Sequence, residues 1–300
     1  MTPVFRIGPC FRRGRWDADE VVVSSTPRPS VRFAAGFAAG AVALTGVIGV
    51  VVAPALAAAP AASSHASADH AGSGLAPVTA TAGSTARRAA AGQTLGMDVS
   101  SYQGNVNWAA AWNAGARFAY TKSTEGTGYT NPYFAQQYNG AYHIGMIRGA
   151  YHFALPDRSS GTAQADYFIG HGGGWSADGR TLPPALDIEY NPYGATCYGL
   201  SPSSMVSWIR AFSAEVRARA GRYPIIYTTR DWWASCTAST TSLAAADPLW
   251  VARYASSPGT LPAGWPTWRI WQYASSGRLP GDQDAFNGSL TQLRQFALGH

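Results

Sequence analysis

The stretch Pro183-Pro184-Ala185-Leu186-Asp187-Ile188-Glu189-Tyr190 joins an apolar run to two carboxylic acids spaced two residues apart. Side chains alternate across a β-strand, so Asp187 and Glu189 should point the same way while Leu186 and Ile188 face the opposite layer. The strand rise places the two acidic Cα atoms roughly 6.6 Å apart. Partly buried acids at that spacing do not both stay ionised with ordinary pKa values. The pair thus offers a proton donor beside an anion, although an acidic strand end facing solvent would have the same sequence.

Short apolar strands alternate with amphipathic helices on both sides of this stretch. The predicted strands are residues 95–99, 118–122, 146–153, 185–190, 225–228, 249–254 and 269–273. The clearest helix begins at the Ser201-Pro202 cap and ends at Gly221. After the fifth strand the connections become Pro/Gly/Ser loops too short for good helices. Five βα units followed by mostly bare strands predict an α/β fold, a modified TIM-type barrel.

Polar residues fall at or near the C-terminal ends of these predicted strands, which is where βα barrels carry their active groups. They are Asp98, Lys122, His152, Asp187, Glu189, Tyr227, Arg253 and Gln272. Strands that have only a structural role would scatter such residues along their lengths. The convergence therefore favours a catalytic site over a solvent-exposed acidic edge.

The segment before the barrel differs from it in composition, since all fifteen tyrosines and ten of the eleven tryptophans follow Gln93. Residues 1–57 combine a basic stretch, an apolar run at 33–52 and the small residues Ala55-Leu56-Ala57, which is typical of a secretory signal peptide. The basic part is unusually long, which suggests a downstream translation start; a retained membrane anchor is the alternative. Residues 58–93 are rich in Ala, Ser and Thr and are predicted to be a disordered linker. The catalytic domain is assigned to residues 94–299.

Charge and motifs exclude several function classes. The net charge of +6 divides into +4 for residues 1–93 and +2 for residues 94–300, so the predicted domain is only mildly basic. Nucleic-acid binding would require a clustered basic face, and the sequence shows none. No spacing of Cys, His and Asp suggests a metal, and no Gly-rich loop follows a strand as phosphate binding requires. The sequence therefore predicts no metal, cofactor or nucleic acid.

Two of the three cysteines, Cys197 and Cys236, lie in the predicted exported domain. Export favours a disulfide between them, and each follows a predicted barrel strand, which should bring them close together. The bond would close a loop of about forty residues and stabilise the fold by about 3 to 4 kcal/mol. A cysteine nucleophile is the alternative, but no local signature supplies a partner histidine.

Seven short motifs occur in order on these predicted strands and loops. They are GMDVSSYQG at 96–104, KSTEG at 122–126, GAYHF at 149–153, LDIE at 186–189, WVARY at 250–254, WQY at 271–273 and DQDAFNG at 282–288. With them the chain from Leu95 to Leu298 resembles the Chalaropsis-type lysozymes, glycoside hydrolase family 25. Each motif alone is a weak match, whereas all seven in sequence are specific.

The resemblance implies cleavage of the β-1,4 bond between N-acetylmuramic acid and N-acetylglucosamine in peptidoglycan. It implies that Glu189 is the general acid and that Asp98, Asp187 and Asp282 are the other acids of the site. Asp284 stands where the family more often has Asn, which adds a possible negative charge. Because Asp187 shares a strand face with the acid, it is a poor direct nucleophile. We expect substrate-assisted, retaining catalysis in which Asp187 raises the pKa of Glu189 and orients the acetamido group.

Aromatic and polar groups are expected to bind the glycan. The candidate substrate-binding residues are Lys122, Tyr151, Tyr227, Tyr254 and Trp271. The aromatic residues offer flat faces to sugar rings, although packing roles fit them equally well. Lys122 is expected to pair with an acid of the site or with a substrate carboxylate, and a plain salt bridge is the alternative. His152 points away from Tyr151 and is expected to be a packed structural histidine.

Two other functions remain open for this sequence. A non-catalytic peptidoglycan-binding module would keep the groove without turnover, and a chitinase-like hydrolase would use a similar Asp-x-Glu strand end. Retention of Asp98, Asp187, Glu189 and Asp282 argues against the first, and the flanking motifs argue against the second. The preferred prediction is a secreted, monomeric lysozyme that acts on peptidoglycan strands and has no stable membrane association after signal cleavage.

Overall fold

The computed structural model describes Ala71–Gly72 and Gly92–His300. The predicted signal segment and all but four residues of the predicted linker lie outside this part of the chain. Within the described residues, no helix has the length and apolar character needed to cross a bilayer.

Nine strands and six α-helices account for most of the described chain. The strands are β1 (Thr94–Val99), β2 (Phe118–Glu125), β3 (Tyr129–Thr130), β4 (Ile147–Phe153), β5 (Ala185–Asp187), β6 (Ile225–Thr228), β7 (Leu249–Ala252), β8 (Ile270–Ala274) and β9 (Asp282–Phe286). The helices are α1 (Trp108–Asn113), α2 (Phe134–His143), α3 (Gly161–Gly170), α4 (Pro202–Ala220), α5 (Arg230–Thr237) and α6 (Leu290–Leu298).

Eight of the strands close into a barrel. The order runs β1-β9-β8-β7-β6-β5-β4-β2, and β1 pairs with β2 to complete the ring. Neighbours are parallel except around β9, which lies antiparallel to both β8 and β1. The short strand β3 adds an antiparallel partner to β2 outside the ring. The predicted α/β barrel is therefore confirmed, with five βα units followed by β7 and β8 without intervening helices.

Local sequence signals explain where the elements begin and end. Helix α4 begins where Ser201 accepts a hydrogen bond from the Ser204 amide, and it ends at Gly221 in the left-handed conformation, as predicted. Strand β5 is shorter than predicted, because the chain leaves the ladder after Asp187. Helix α5 contradicts the expectation that no good helix follows the fifth predicted strand. Strand β9 and helix α6 were also not predicted, since the motif at 282–288 gave no indication of an antiparallel closing strand.

Alternation along the strands separates two apolar layers. Leu186 and Ile188 belong to the outer layer, where helices α3 and α4 pack on the barrel. Inside the barrel, three tyrosine rings surround Trp250, with centroid separations of 4.8 Å for Tyr120, 6.4 Å for Tyr151 and 4.9 Å for Tyr227. This aromatic plug fills the interior of the barrel, as expected for a βα barrel whose centre is packed rather than open.

Candidate active site

The end of β5 presents both acids of the opening stretch on the inner side. Leu186 and Ile188 are buried in the outer layer, which leaves Asp187 and Glu189 directed the opposite way. The Ile188 amide donates to the carbonyl of Tyr227, so the chain between the acids stays attached to β6 beyond the end of the ladder. Both acids are buried. The predicted shared orientation of Asp187 and Glu189 is confirmed.

The antiparallel pairing of β1 with β9 brings a second pair of acids together. The register places Asp98 directly opposite Asp282. Gly281 permits this approach, because a Cβ atom at that position would lie 1.9 Å from the carbonyl oxygen of Asp98. A side chain at residue 281 would therefore push the two strands apart where the acids meet.

Gln272 joins these acids to two tyrosines. Its Nε2 atom donates to Asp98 Oδ2 at 2.8 Å and to Asp282 Oδ2 at 3.1 Å. Its Oε1 atom accepts hydrogen bonds from the hydroxyls of Tyr227 at 2.8 Å and Tyr254 at 3.2 Å. The sequence indicated Gln272 at a strand end but did not identify this role. The antiparallel β9 brings Asp282 to Gln272, and that strand was not predicted from the sequence.

Asp284 adds a further buried carboxyl group, and its position explains the departure from the family motif. Its Oδ1 atom accepts a hydrogen bond from Trp250 Nε1 at 2.9 Å. Burial raises its pKa well above the ordinary value, and the charge of Asp98 raises it further. The extra residue therefore adds an acid that holds its proton more tightly than a free carboxyl group does.

The remaining acids also bind protons more tightly than free carboxyl groups. Burial raises the pKa of Asp98 to about 7. Burial raises the pKa of Asp187 well above its usual range, and the nearby Glu189 raises it further. Asp282 shifts in the same direction through burial and the charges of Asp98 and Glu189. Asp98, Asp187 and Asp282 therefore hold their protons to higher pH than free carboxyl groups do.

Asp187 differs from the other acids in its hydrogen bonding. Neither of its carboxylate oxygens has a hydrogen-bond partner within the described part of the chain. A buried carboxyl group without a partner costs free energy, and such groups in native proteins occur where a ligand completes them. Asp187 is therefore directed at whatever occupies the barrel mouth.

Lys122 forms a buried ion pair with Glu125, at an Nζ to Oε2 distance of 2.6 Å. Tyr193 donates its hydroxyl to the other oxygen of Glu125 at 2.7 Å. The salt-bridge alternative for Lys122 is therefore the one present in the structure. The lysine charge still lowers the pKa of Asp187, so the ion pair acts electrostatically on the acid cluster.

The predicted aromatic binding residues divide into three groups. Tyr151 and Tyr227 direct their rings at Trp250 inside the barrel, so their hydroxyls rather than their ring faces reach the site. Trp271 lies in the outer layer, where its Nε1 donates to the carbonyl of Arg253, and the structure does not bring it to the acids. Tyr254 is partly exposed. It is the member of the set best placed to meet a glycan.

A groove lies beside Tyr254 at the ends of β6 and β7. It has a volume of about 380 Å³ and is lined by Tyr190, Thr229, Arg230, Asp231 and Arg253 among others. This size falls within the range of small-ligand pockets. Tyr254, whose hydroxyl donates to Gln272, connects this groove to the acid cluster.

The predicted disulfide between Cys197 and Cys236 is present, with Cα atoms 5.3 Å apart. It ties the loop after β5 to helix α5. The adjacent Tyr198 has a φ of 56° and is buried, and burial raises its pKa, with a further rise from the nearby charges of Glu189 and Asp187. No motif in the sequence indicated that Tyr198 would lie near the site.

A βα barrel whose strand ends carry a cluster of buried carboxylic acids is typical of glycoside hydrolases. The family model described as "Glycosyl hydrolases family 25" matches residues 97–282. The chain belongs to this family and is a glycoside hydrolase, in agreement with the resemblance of its seven motifs.

Named relatives and a solved structure support the same assignment. The chain is 52% identical over 211 residues to the N,O-diacetylmuramidase of Chalaropsis sp, covering 68% of this chain and 99% of that protein. It is 50% identical over 207 residues to Lysozyme M1 of Streptomyces globisporus, covering 67% of this chain and 70% of that protein. The crystal structure of the bacterial lysozyme from Streptomyces coelicolor superposes with a TM-score of 0.67 at 52% identity, covering 69% of this chain and 97% of that chain.

Proposed function

We propose that this protein is a secreted lysozyme that hydrolyses the β-1,4 bond between N-acetylmuramic acid and N-acetylglucosamine in peptidoglycan. The observation that carries the proposal is the cluster of buried acids Asp98, Asp187, Glu189 and Asp282 at one end of the barrel. The names of its relatives, a lysozyme and an N,O-diacetylmuramidase, support the substrate. The groove beside Tyr254 supports binding of a chain rather than of a single sugar.

In the proposed first step, Glu189 donates its proton to the glycosidic oxygen while the bond between that oxygen and the anomeric carbon breaks. The carbonyl oxygen of the substrate acetamido group attacks the anomeric carbon, which gives a cyclic oxazolinium ion. Asp187 accepts a hydrogen bond from the acetamido N–H and stabilises the positive charge. Its two oxygens, which lack partners in the described chain, support this role.

In the proposed second step, Glu189 acts as a carboxylate base. It removes a proton from water while the water oxygen attacks the anomeric carbon and opens the cyclic ion. Two inversions at that carbon give net retention. Asp98 and Asp282, held by Gln272, place two further carboxyl groups around the sugar and fix its position.

The reaction is tested on a defined cell wall. We expect mass spectrometry of the released muropeptides to find N-acetylmuramic acid at the reducing end, and NMR early in hydrolysis to find the β anomer. N-acetylglucosamine at the reducing end would reject the muramidase assignment, and the α anomer would reject the retaining mechanism. Release of reducing sugar from chitin but not from peptidoglycan would favour the chitinase-like alternative, and binding without release of sugar would favour the non-catalytic module.

Secretion and a monomeric state complete the proposal. The signal pattern at residues 1–57 supports export, and the disulfide supports an oxidising compartment. N-terminal sequencing of protein from the culture medium should place the first residue near Ala58. Light scattering of the same material should give the mass of a single chain, and a mass twice that value would reject the monomer.

A further inference from the structure

Two residues from the region before the barrel, Ala71 and Gly72, lie inside the acid cluster. The Gly72 amide donates to Glu189 Oε1 at 2.5 Å. The Ala71 amide donates to the Tyr151 hydroxyl at 3.3 Å, and the Ala71 carbonyl accepts from Gln272 Nε2 at 3.2 Å. The peptide unit between the two residues thus contacts both the predicted general acid and Gln272.

The pocket fits this segment closely. Ala71 is fully buried and belongs to the same apolar cluster as Tyr151 and Tyr227. A Cβ atom added to Gly72 would lie 2.3 Å from the Tyr254 hydroxyl and 3.0 Å from Gln272 Oε1. The φ of Gly72 is +89°, which side-chain-bearing residues rarely adopt. Only glycine therefore fits at this position while the tyrosine stays in place.

The segment and a glycan would compete for the same atoms. Under the proposed mechanism, Glu189 must face a glycosidic oxygen, yet the Gly72 amide occupies its Oε1 atom. Ala71 contacts Tyr151 and also Gln272, the residue that holds Asp98 and Asp282. We propose that the Ala71–Gly72 segment is an internal competing ligand of the active site, which a glycan must displace before it can be cleaved. This proposal rests on the proposed function of the same acids.

Tethering makes such competition effective even when the contacts are weak. Nineteen residues separate Gly72 from Gly92, and a chain of that length reaches up to about 60 Å when extended. Linking a segment to its site in this way raises its effective concentration to the millimolar range, so a weakly binding segment still occupies much of its site. If it occupies the pocket in about three quarters of the molecules, the competent fraction is about one quarter and the apparent KM rises about fourfold.

The kinetic test compares Gly72→Val with Gly74→Val in the full chain. Gly74 provides the matched control, because the same substitution is made two residues away in the same region of the sequence. With soluble peptidoglycan strands, we expect Gly72→Val to lower KM about fourfold and to leave kcat unchanged, because saturating substrate displaces the segment in both proteins. Gly74→Val should behave as the wild type. A KM for Gly72→Val equal to that of the wild type would overturn the proposal.

A second measurement does not depend on turnover. Labelling with ¹³C-carbonyl alanine and ¹⁵N-glycine selects the amides of glycines that follow alanine, and the signal missing in Gly72→Val identifies Gly72. We expect this amide to be protected from hydrogen exchange in the free protein and to lose protection when tri-N-acetylchitotriose is added as the probe. Exchange at the rate of an unstructured peptide in the free protein would overturn the proposal, even if the protein proved inactive on cell walls.

Discussion

The inner and outer faces of the barrel wall both bury a titratable group, but the two groups differ in their hydrogen bonding and in the direction of their pKa shifts. His152 on β4 faces the outer layer, where Thr124 Oγ1 lies 2.8 Å from its Nδ1 and Gln164 Oε1 lies 2.9 Å from its Nε2. Burial lowers its pKa to about 3, so it is neutral. Asp187 on the neighbouring β5 faces inward, with a raised pKa and no hydrogen-bond partner for either oxygen among the described residues.

This contrast indicates how a structural group differs from a functional one in this molecule. Burial is nearly complete at both positions and does not distinguish them. Hydrogen bonding does, because the histidine has a partner for each ring nitrogen, whereas the aspartate has none in the described chain. The first arrangement stabilises the fold, and the second supports the proposed role of Asp187 in binding a ligand.

The largest expected effect comes from removing Glu189, the proposed proton donor of the inner face. Glu189→Gln keeps the shape of the side chain but cannot protonate the glycosidic oxygen. We expect kcat on peptidoglycan to fall about 10³-fold, which is typical of the loss of a general acid. Reducing-sugar release measures this directly, and the midpoint of thermal unfolding should stay within a few degrees of the wild type.

Glu215→Gln is the matched control for that experiment. Glu215 lies on α4 and is partly exposed, beside Arg219. The same chemical change there should leave kcat unchanged within about twofold, because surface substitutions have small effects. A Glu189→Gln variant that retains more than a tenth of the wild-type rate would mean that another acid donates the proton.

The next largest effect should come from Asp187 itself. Asp187→Asn removes a buried carboxyl group that lacks partners in the described chain, so we expect stability to be maintained or increased. Activity should fall about 10²-fold, because an asparagine amide cannot become the carboxylate that would stabilise the positive charge on the acetamido group in the transition state. If Asp187→Asn instead lowered stability and left kcat unchanged, Asp187 would have a structural role.

Asp247→Asn controls for the loss of a buried acid outside the site. Asp247 is buried and has a raised pKa of about 7, but its Oδ1 accepts a hydrogen bond from Ser213 at 2.5 Å. It therefore resembles Asp187 in burial and His152 in hydrogen bonding. We expect Asp247→Asn to retain full activity per folded molecule.

Much of the contrast between Asp187 and His152 could be predicted from the sequence, because the alternation of side chains along a strand follows from residue order alone. The orientation of Asp187 and Glu189 and the packed role of His152 were both predicted from that period of two and are confirmed. The same rule, if applied to Trp271, would have assigned it to the face opposite Gln272. Its interpretation as a sugar-binding residue came instead from residue type, and the structure places it in the outer layer.

Long-range pairings account for what the sequence did not reveal. The contact of Asp98 with Asp282 joins residues from opposite ends of the domain and depends on an antiparallel strand that no periodic pattern indicated. The role of Gln272 depends on that same closure. The burial of Ala71 was also unexpected, because a segment of small residues predicts a linker, and only the three-dimensional pocket shows that a small residue is what fits there.

A smaller effect should appear in the pH dependence of stability. In the folded protein the pKa of Asp98 is about 7, against 3.8 in the ordinary state. Between these values the folded state holds a proton that the unfolded chain has released, so the free energy of unfolding falls as the pH rises through this window. We expect Asp98→Asn to reduce that fall by about 2 kcal/mol between pH 5 and pH 7 in urea titrations.

Asp231→Asn is the control for the pH experiment, since Asp231 is an exposed acid on α5. It should leave the slope of stability against pH unchanged. An equal slope in the wild type and in Asp98→Asn would show that Asp98 is ionised in the folded protein across this range.

The smallest effect is expected for His152 on the outer face, where stability depends on pH with the opposite sign. The pKa of His152 is lowered from 6.5 to about 3, so the unfolded chain binds a proton that the folded protein excludes, and stability is lost as the pH falls below 6.5. His152→Gln keeps a polar side chain between Thr124 and Gln164 and should cost about 1 kcal/mol at pH 7. It should also remove this acid-side loss while kcat changes less than twofold. Urea titrations at pH 5 and pH 7 beside wall-lysis assays measure both quantities, and a tenfold fall in kcat would show that the outer face takes part in catalysis after all.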